Sequence, residues 1–335
     1  MEYNILGKTG LTVSKLGFGG IPIQRIDAAG TRILMEKLVE SGVNYIDTAR
    51  GYTVSESYLG EALEGIRDKF ILATKSMGRT KEAMAADIDI SLKNLRTDYI
   101  DLYQCHNPTM EQLDQICGEG GALEALMEAK NAGKIGHIGI TAHSLAVFQK
   151  ALELPWVETI MFPYNIVESQ GTELIAKCKE KNIGFIDMKP LAGGALDDAN
   201  LAIRYVLANE AVTITIPGMA EVSELDQNIA AASDASLLSP AELEKIDAIR
   251  RELGTNFCRR CNYCAPCTVG INIPSVFLFE GYLSRYGLGD WAKGRYATLP
   301  VKASSCIECG VCETRCPYHL PIRQMLKNCV DKLGE

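Results

Sequence analysis

From residue 14 onward, short apolar runs alternate with longer stretches in which apolar residues recur every three or four positions. This is the pattern of strands each followed by a helix. The runs predict strands at 15–19, 45–47, 71–75, 100–106, 135–141, 159–162, 183–189 and 213–217. Helices are expected between them near 31–41, 55–64, 80–95, 122–132, 144–152, 171–181, 199–209 and 221–232. Strand then helix, eight times over roughly 220 residues, predicts an α/β fold built as a TIM-type (β/α)8 barrel; a doubly wound open sheet is the alternative.

The opening "YNILGKTGLTVS" sets Gly-Lys-Thr-Gly between two apolar runs, which predicts a hairpin across the bottom of the barrel. After a helix written "LLSPAELEKIDAIRREL" the periodic pattern stops at Gly254. The expected organisation is a barrel over 1–235, a linker helix over 236–255 and a cysteine-rich domain over 256–335. The length of 335 residues leaves room for both.

Composition narrows the class. Lys and Arg number 34 against 42 Asp and Glu, a net charge of −8 spread along the chain. A nucleic-acid partner is not expected, because phosphate contacts need a basic face. No run approaches the roughly 18–20 apolar residues of a membrane span. The start, "MEYNILGKTG", has neither a basic nor an apolar leader region, so a cytoplasmic chain is expected. Of twelve cysteines, three (Cys105, Cys117, Cys178) precede residue 257 and nine follow it. In an unexported chain that clustering points to thiolate ligands and away from disulfides.

In a barrel of this kind the chemistry lies at the C-terminal ends of the strands. The second strand ends "NYIDTARGY", the third "ILATKS" and the fourth "IDLYQCHNP", which places Asp47, Lys75 and His106 together with Tyr52 on the loop after Asp47. A tyrosine hydroxyl with an ordinary pKa of about 10 becomes a better acid beside an ammonium. Lys75 is suited to that part, Asp47 to holding the ammonium, and His106 to orienting a substrate carbonyl. Taken singly each has a bland explanation: a strand-end cap, a solvated lysine or tyrosine, a satisfied histidine.

The segments "GVNYIDTARGYTVSESYLGEAL", "ILATKS" and "DLYQCHNP" resemble the aldo-keto reductase family over residues 1–235. The resemblance implies catalysis by Asp47, Tyr52, Lys75 and His106 with a nicotinamide cofactor. No Gly-x-Gly-x-x-Gly follows a strand, so a Rossmann site is not expected. The family instead lays NAD(P)H across the barrel mouth. By resemblance Gly19 and Gly20 approach it, Asp47 lies beside it, and Thr141 meets the carboxamide. Met188, Pro190, Leu191 and Gly193, with Ile216, Pro217, Gly218, Glu224 and Asn228, line the rest of its path. Three departures stand out: Ala142 where an Asn is usual, Met161 where a Gln is frequent, and Glu224 where NADPH-preferring members carry an Arg. A carboxylate there repels a 2′-phosphate, so NADH is the favoured cofactor.

The tail carries Cys258, Cys261, Cys264 and Cys267 at C-x2-C-x2-C-x2-C. Cys306, Cys309, Cys312 and Cys316 follow at C-x2-C-x2-C-x3-C before Pro317. The second run has the spacing of bacterial ferredoxins, whose fourth cysteine serves the other cluster. Two 4Fe-4S clusters are therefore expected in a mostly helical, ferredoxin-like domain, as in iron-sulfur variants of the family. One set would be Cys258, Cys261, Cys264 and Cys316; the other Cys306, Cys309, Cys312 and Cys267. Structural zinc is the alternative, and Cys329 is expected to be a buried thiol.

Together these features predict an oxidoreductase that interconverts a carbonyl and an alcohol, whose clusters either exchange electrons with a ferredoxin or flavoprotein or serve a structural or regulatory role. The alternative is an electron-transfer or redox-sensing protein whose barrel binds nucleotide without reducing carbonyls.

Overall fold

The computed structural model describes residues 1–254 and 256–334. Residues 255 and 335, the ends of the expected linker and cysteine domain, lie outside the described residues. The chain divides into two compact units. The first is Met1–Asn165, Ser169–Leu191 and Asp198–Leu237; the second is Ile166–Glu168, Ala192–Asp197 and Leu238 onward.

The first unit opens with a hairpin, β1 (Tyr3–Ile5) and β2 (Thr12–Ser14), paired with Tyr3 opposite Ser14 and Ile5 opposite Thr12. Gly7 in its loop has φ +52°, and a Cβ there would lie 2.2 Å from the nitrogen of Gly184. Only glycine fits that approach. The barrel strands are β3 (Phe18–Gly19), β4 (Tyr45–Asp47), β5 (Ile71–Ser76), β6 (Ile100–His106), β7 (Ile135–Thr141), β8 (Thr159–Pro163), β9 (Gly184–Met188) and β10 (Ile214–Ile216). Each lies parallel to the next in chain order, and bridges Leu16–Thr215 and Gly19–Gly218 join the last to the first. The eight-stranded parallel barrel is thus the fold. β3 is shorter than the run 15–19 because its earlier residues meet the last strand through a single bridge at Leu16.

Around the strands stand α1 (Ala28–Ser41), α2 (Ser55–Ala62), α3 (Lys81–Asn94), α4 (Met110–Cys117), α5 (Ala122–Asn131), α6 (Leu145–Ala151), α7 (Thr172–Glu180), α8 (Ala199–Leu207) and α9 (Val222–Ser233). Helix α4 falls in a stretch where the periodicity predicts none. Its signal is a capping box, in which the Thr109 hydroxyl accepts from the nitrogen of Gln112 and the Gln112 side chain accepts from Thr109.

Strand residues alternate between two cores. Ile46, Leu72, Tyr103 and Cys105 face the helices and are buried with Leu34, Leu38, Leu59 and Phe148. Tyr45, Ala73, Leu102, Met161, Ile186 and Ile214 fill the barrel interior. Leu6 and Val13 of the hairpin belong to that inner cluster and are fully buried, so the hairpin covers one end of the barrel.

The second unit contains α10 (Pro240–Gly254), α11 (Ile273–Ser284), α12 (Gly289–Ala297), α13 (Val311–Thr314) and α14 (Ile322–Leu333). Asn272 caps α11 by accepting from Ser275. The "GYLSRYGLGDWAKGRY" stretch is used in packing: Tyr296 is buried, and the Lys302 ammonium donates to the carbonyls of Tyr296, Ala297 and Leu299. Among the described residues no helix is long and apolar enough to cross a membrane.

Candidate functional site

The alternation that builds the barrel also builds the site. On β4, Tyr45 and Asp47 point inward around the outward Ile46. Pairing of β5 with β6 sets Lys75 beside Gln104, and pairing of β6 with β7 sets His106 beside Thr141. Asp47 and Lys75 are almost wholly buried, while Tyr52 and His106 are partly exposed.

The Lys75 ammonium donates to the Asp47 carboxylate and, at 2.8 Å, to the carbonyl of Thr48. It lies 4.9 Å from the centre of the Tyr52 ring. The Tyr52 and His106 rings meet edge to face at 6.1 Å. Burial pushes the Asp47 carboxyl up and the Lys75 ammonium down, since a dry site disfavours either charge alone; their mutual pairing opposes both shifts. All four predicted residues therefore come together at adjacent strand ends.

Gln104 is a member of this cluster that the motifs do not show. Its amide nitrogen donates to Asp47 at 3.0 Å and it is fully buried. The available signal was the period of two: counting back from His106, position 104 faces the interior of the barrel.

The expected cofactor residues fall on neighbouring strand ends. Gly19 ends β3 and Gly20 follows it, Thr141 ends β7, Met188 ends β9, and Ile216, Pro217 and Gly218 lie at the end of β10. Met188 pairs with Ile216 and Gly19 bridges Gly218, so β9, β10 and β3 form one arc running into β4 and Asp47. Pro190 and Leu191 continue from β9, and Asn228 is buried on α9. The glycines have local reasons as well: a Cβ on Gly20 would lie 2.9 Å from the Asp47 carbonyl, and one on Gly19 3.0 Å from that of Ile216. The Thr141 hydroxyl accepts from the nitrogen of Asn107 at 3.0 Å. Gly193 belongs to the second unit, where its carbonyl accepts from Arg285 at 3.0 Å and Tyr286 packs against it. Ala142 and Met161 are both buried.

Glu224 does more than its position in the sequence suggests. One carboxylate oxygen accepts from the nitrogens of Ala220 at 2.7 Å and Glu221 at 3.1 Å, capping α9. The other lies 3.8 Å from the Arg25 guanidinium.

In the second unit the eight cysteines line two cavities. One is bordered by Cys258, Cys261, Cys264 and Cys316; the other by Cys267, Cys306, Cys309 and Cys312. Each thus takes three sulfurs from one run and one from the other. Left-handed residues stand between the cysteines, Arg260 (φ +57°) and Asn262 (+67°) in the first run and Glu308 (+56°) in the second. Such conformations cost free energy outside glycine and persist where something else requires the turn. Here they separate cysteines that border one cavity. Four sulfurs around a cavity fit a polynuclear iron-sulfur group. Cys329 is buried on α14.

The intervening arginines hold the first run. Arg260 makes a buried ion pair with Glu168, Arg259 donates to the carbonyl of Val167 at 2.8 Å, and its guanidinium lies 3.9 Å from the centre of the Tyr318 ring.

Comparison with known proteins agrees with both units. The sequence matches the aldo/keto reductase family over residues 15–201 and 197–251. The chain belongs to the aldo/keto reductase family. Residues 257–321 match a 4Fe-4S dicluster domain, so this family member carries an iron-sulfur domain at its C-terminal end. It is 30% identical over 306 residues to L-galactose dehydrogenase of Arabidopsis thaliana, covering 74% of this chain and 94% of that protein. An uncharacterized oxidoreductase of Bacillus subtilis, YqkF, is 26% identical over 302 residues, with 74% and 96% covered. Among solved structures, the holo form of an aldo-keto reductase from Bacillus halodurans superposes with a TM-score of 0.65 at 27% identity, covering 74% of this chain and 96% of that one. These relatives make the chain an oxidoreductase.

Proposed function

We propose that the protein interconverts an aldehyde or ketone and an alcohol with NAD(P)H, using Tyr52 as the general acid and base. The observation that carries this reading is the Lys75 ammonium, held by Asp47 and the Thr48 carbonyl and lying 4.9 Å from the Tyr52 ring centre. A cation beside a phenol favours the phenolate, so Tyr52 gives and regains a proton more readily than a solvated tyrosine. His106, edge-on to Tyr52, is placed to hydrogen-bond the carbonyl oxygen that receives this proton. Gln104 keeps one Asp47 oxygen engaged and leaves the other to Lys75. The bound nicotinamide supplies or accepts the hydride. Its residues would be those along the β9–β10–β3 arc, whose continuity with Asp47 supports a cofactor path over the barrel mouth.

NADH is the favoured form in this reading. Glu224 spends its carboxylate on the free N–H groups at the start of α9, the groups that would otherwise attract a phosphate. Cys258, Cys261, Cys264 and Cys316 would hold one 4Fe-4S cluster, and Cys267, Cys306, Cys309 and Cys312 the second. Hydride transfer needs neither cluster, and Cys264, Cys312 and Cys316 are part of their unit's buried core, which supports a structural role. Electron exchange with a ferredoxin or flavoprotein is the competing role.

Anaerobically purified, iron-loaded protein assayed on a panel of aldehydes and ketones with both nicotinamides tests the proposal. Expected are turnover, a higher kcat/KM with NADH, about eight iron atoms per chain and broad absorption near ~400 nm. Higher kcat/KM with NADPH defeats the cofactor preference, and zinc without iron defeats the clusters. Cluster reduction by NADH with no carbonyl turned over would instead indicate an electron-transfer protein.

A further inference from the structure

Arg79 is a cation that the four-residue site does not use. It lies on the connection after β5, four residues beyond Lys75, and its Nη2 donates to the main-chain carbonyl of His106 at 2.7 Å. Its Nε and Nη1 are buried and meet no protein acceptor among the described residues. No carboxylate among those residues bears on it; the neighbouring titratable group is the Cys105 thiol, which burial keeps neutral by pushing it up to about 12. Burial also draws Arg79 below the usual arginine range, yet a guanidinium stays charged at any working pH. Even a half-buried cation without a counter-ion carries a desolvation cost. A hydrogen bond to one carbonyl, which a neutral amide would supply, does not account for it.

The surroundings of His106 show what the charge does. Facing it are Tyr52 from the connection after β4, with Lys75 and Asp47 behind. Arg79 approaches from the connection after β5, and Thr141 stands on β7. Asn107 is bonded to Thr141 and to His143. Lys75 and Asp47 offset one another. Among these groups Arg79 is the cation that no carboxylate of the described residues offsets.

We propose that Arg79 is a positioning residue: its hydrogen bond fixes the end of β6, and its uncompensated charge keeps the His106 imidazole neutral. This rests on the roles proposed above for Tyr52 and His106. A neutral imidazole donates a hydrogen bond to the carbonyl and leaves protonation to Tyr52. An imidazolium would be a stronger acid than the phenol and would compete with it.

The test uses the full holoprotein with Arg79→Met and Arg79→Gln, which remove the charge, and Arg79→Lys, which retains it. The side-chain titration of His106 is followed by NMR in histidine-labelled protein, its signal assigned among the four histidines by loss in His106→Asn. Removing the charge should raise the His106 midpoint by about half a unit to one unit. The acid limb of kcat/KM should move with it, and Arg79→Lys should return both toward wild type. The Gln variant keeps a donor for the His106 carbonyl and serves if the Met variant fails to fold. An unchanged midpoint in a folded charge-free variant, even one of lower Tm, overturns the proposal and leaves Arg79 as packing. The NMR arm needs no turnover, so absence of carbonyl reduction would count against the proposed function and not against this one.

Discussion

The barrel and the cysteine-bearing unit hold reactive side chains by different means. Asp47, Lys75, Gln104 and His106 stand on three adjacent strands whose pairing fixes them before any ligand arrives, and apolar clusters lie on both sides of those strands. The eight cysteines stand mostly on loops, turned by left-handed residues, around cavities that their own sulfurs line. Cys264, Cys312 and Cys316 are themselves part of that unit's buried core. The strand-borne site is held by the fold's own strand pairing, whereas the loop-borne one is expected to depend on the clusters proposed for it.

Iron removal should separate the two most sharply. Chelation under anaerobic conditions is expected to raise proteolytic cleavage within residues 256–334 by about a hundred-fold or more while cleavage within 45–141 stays unchanged. Cleavage rising equally in both stretches would erase the distinction. A smaller effect is expected at the buried pair of Glu168 and Arg260. Glu168→Gln leaves Arg260 charged and buried, and should cost the holoprotein about 3 kcal/mol in denaturant unfolding. A loss within error of zero would show that the arginine finds other partners.

The smallest effect should come from the end of the barrel where the strands begin. Burial alone would raise the Glu158 carboxyl, but hydrogen bonds from His137, Lys130 and the nitrogen of Ile138 outweigh it and hold the group at about 2. A lowered native pKa stabilises the fold above the unfolded value, and the gain is lost as pH falls from about 4.5 toward about 2. Glu158→Gln should therefore lower stability at neutral pH by about 1–2 kcal/mol, allowing for solvent screening, and flatten the acid limb in that window. Urea unfolding at pH 7, 4 and 3 measures it; a constant difference at all three would assign the effect to packing instead.

What the sequence revealed follows the same division. Strand periodicity and strand-end polar residues are local signals, so the barrel and the cluster of Asp47, Tyr52, Lys75 and His106 were legible. Spacing within each cysteine run was legible too, because ligand geometry is written into short separations. Gln104 and Arg79 were not, since each matters through one contact across the fold, to Asp47 and to the His106 carbonyl. The capping use of Glu224 was also hidden. A carboxylate three residues into a helix serves its own backbone before any ligand, and only the loop geometry at Ala220 and Glu221 shows it.

The central claim is that carbonyl chemistry resides in the barrel and is separable from the iron-sulfur domain. Tyr52→Phe, purified anaerobically with iron, tests it with two readouts on one sample. The account predicts carbonyl reduction lowered by about 10²- to 10⁴-fold with iron content and the visible spectrum unchanged. Wild-type turnover in that variant would contradict it.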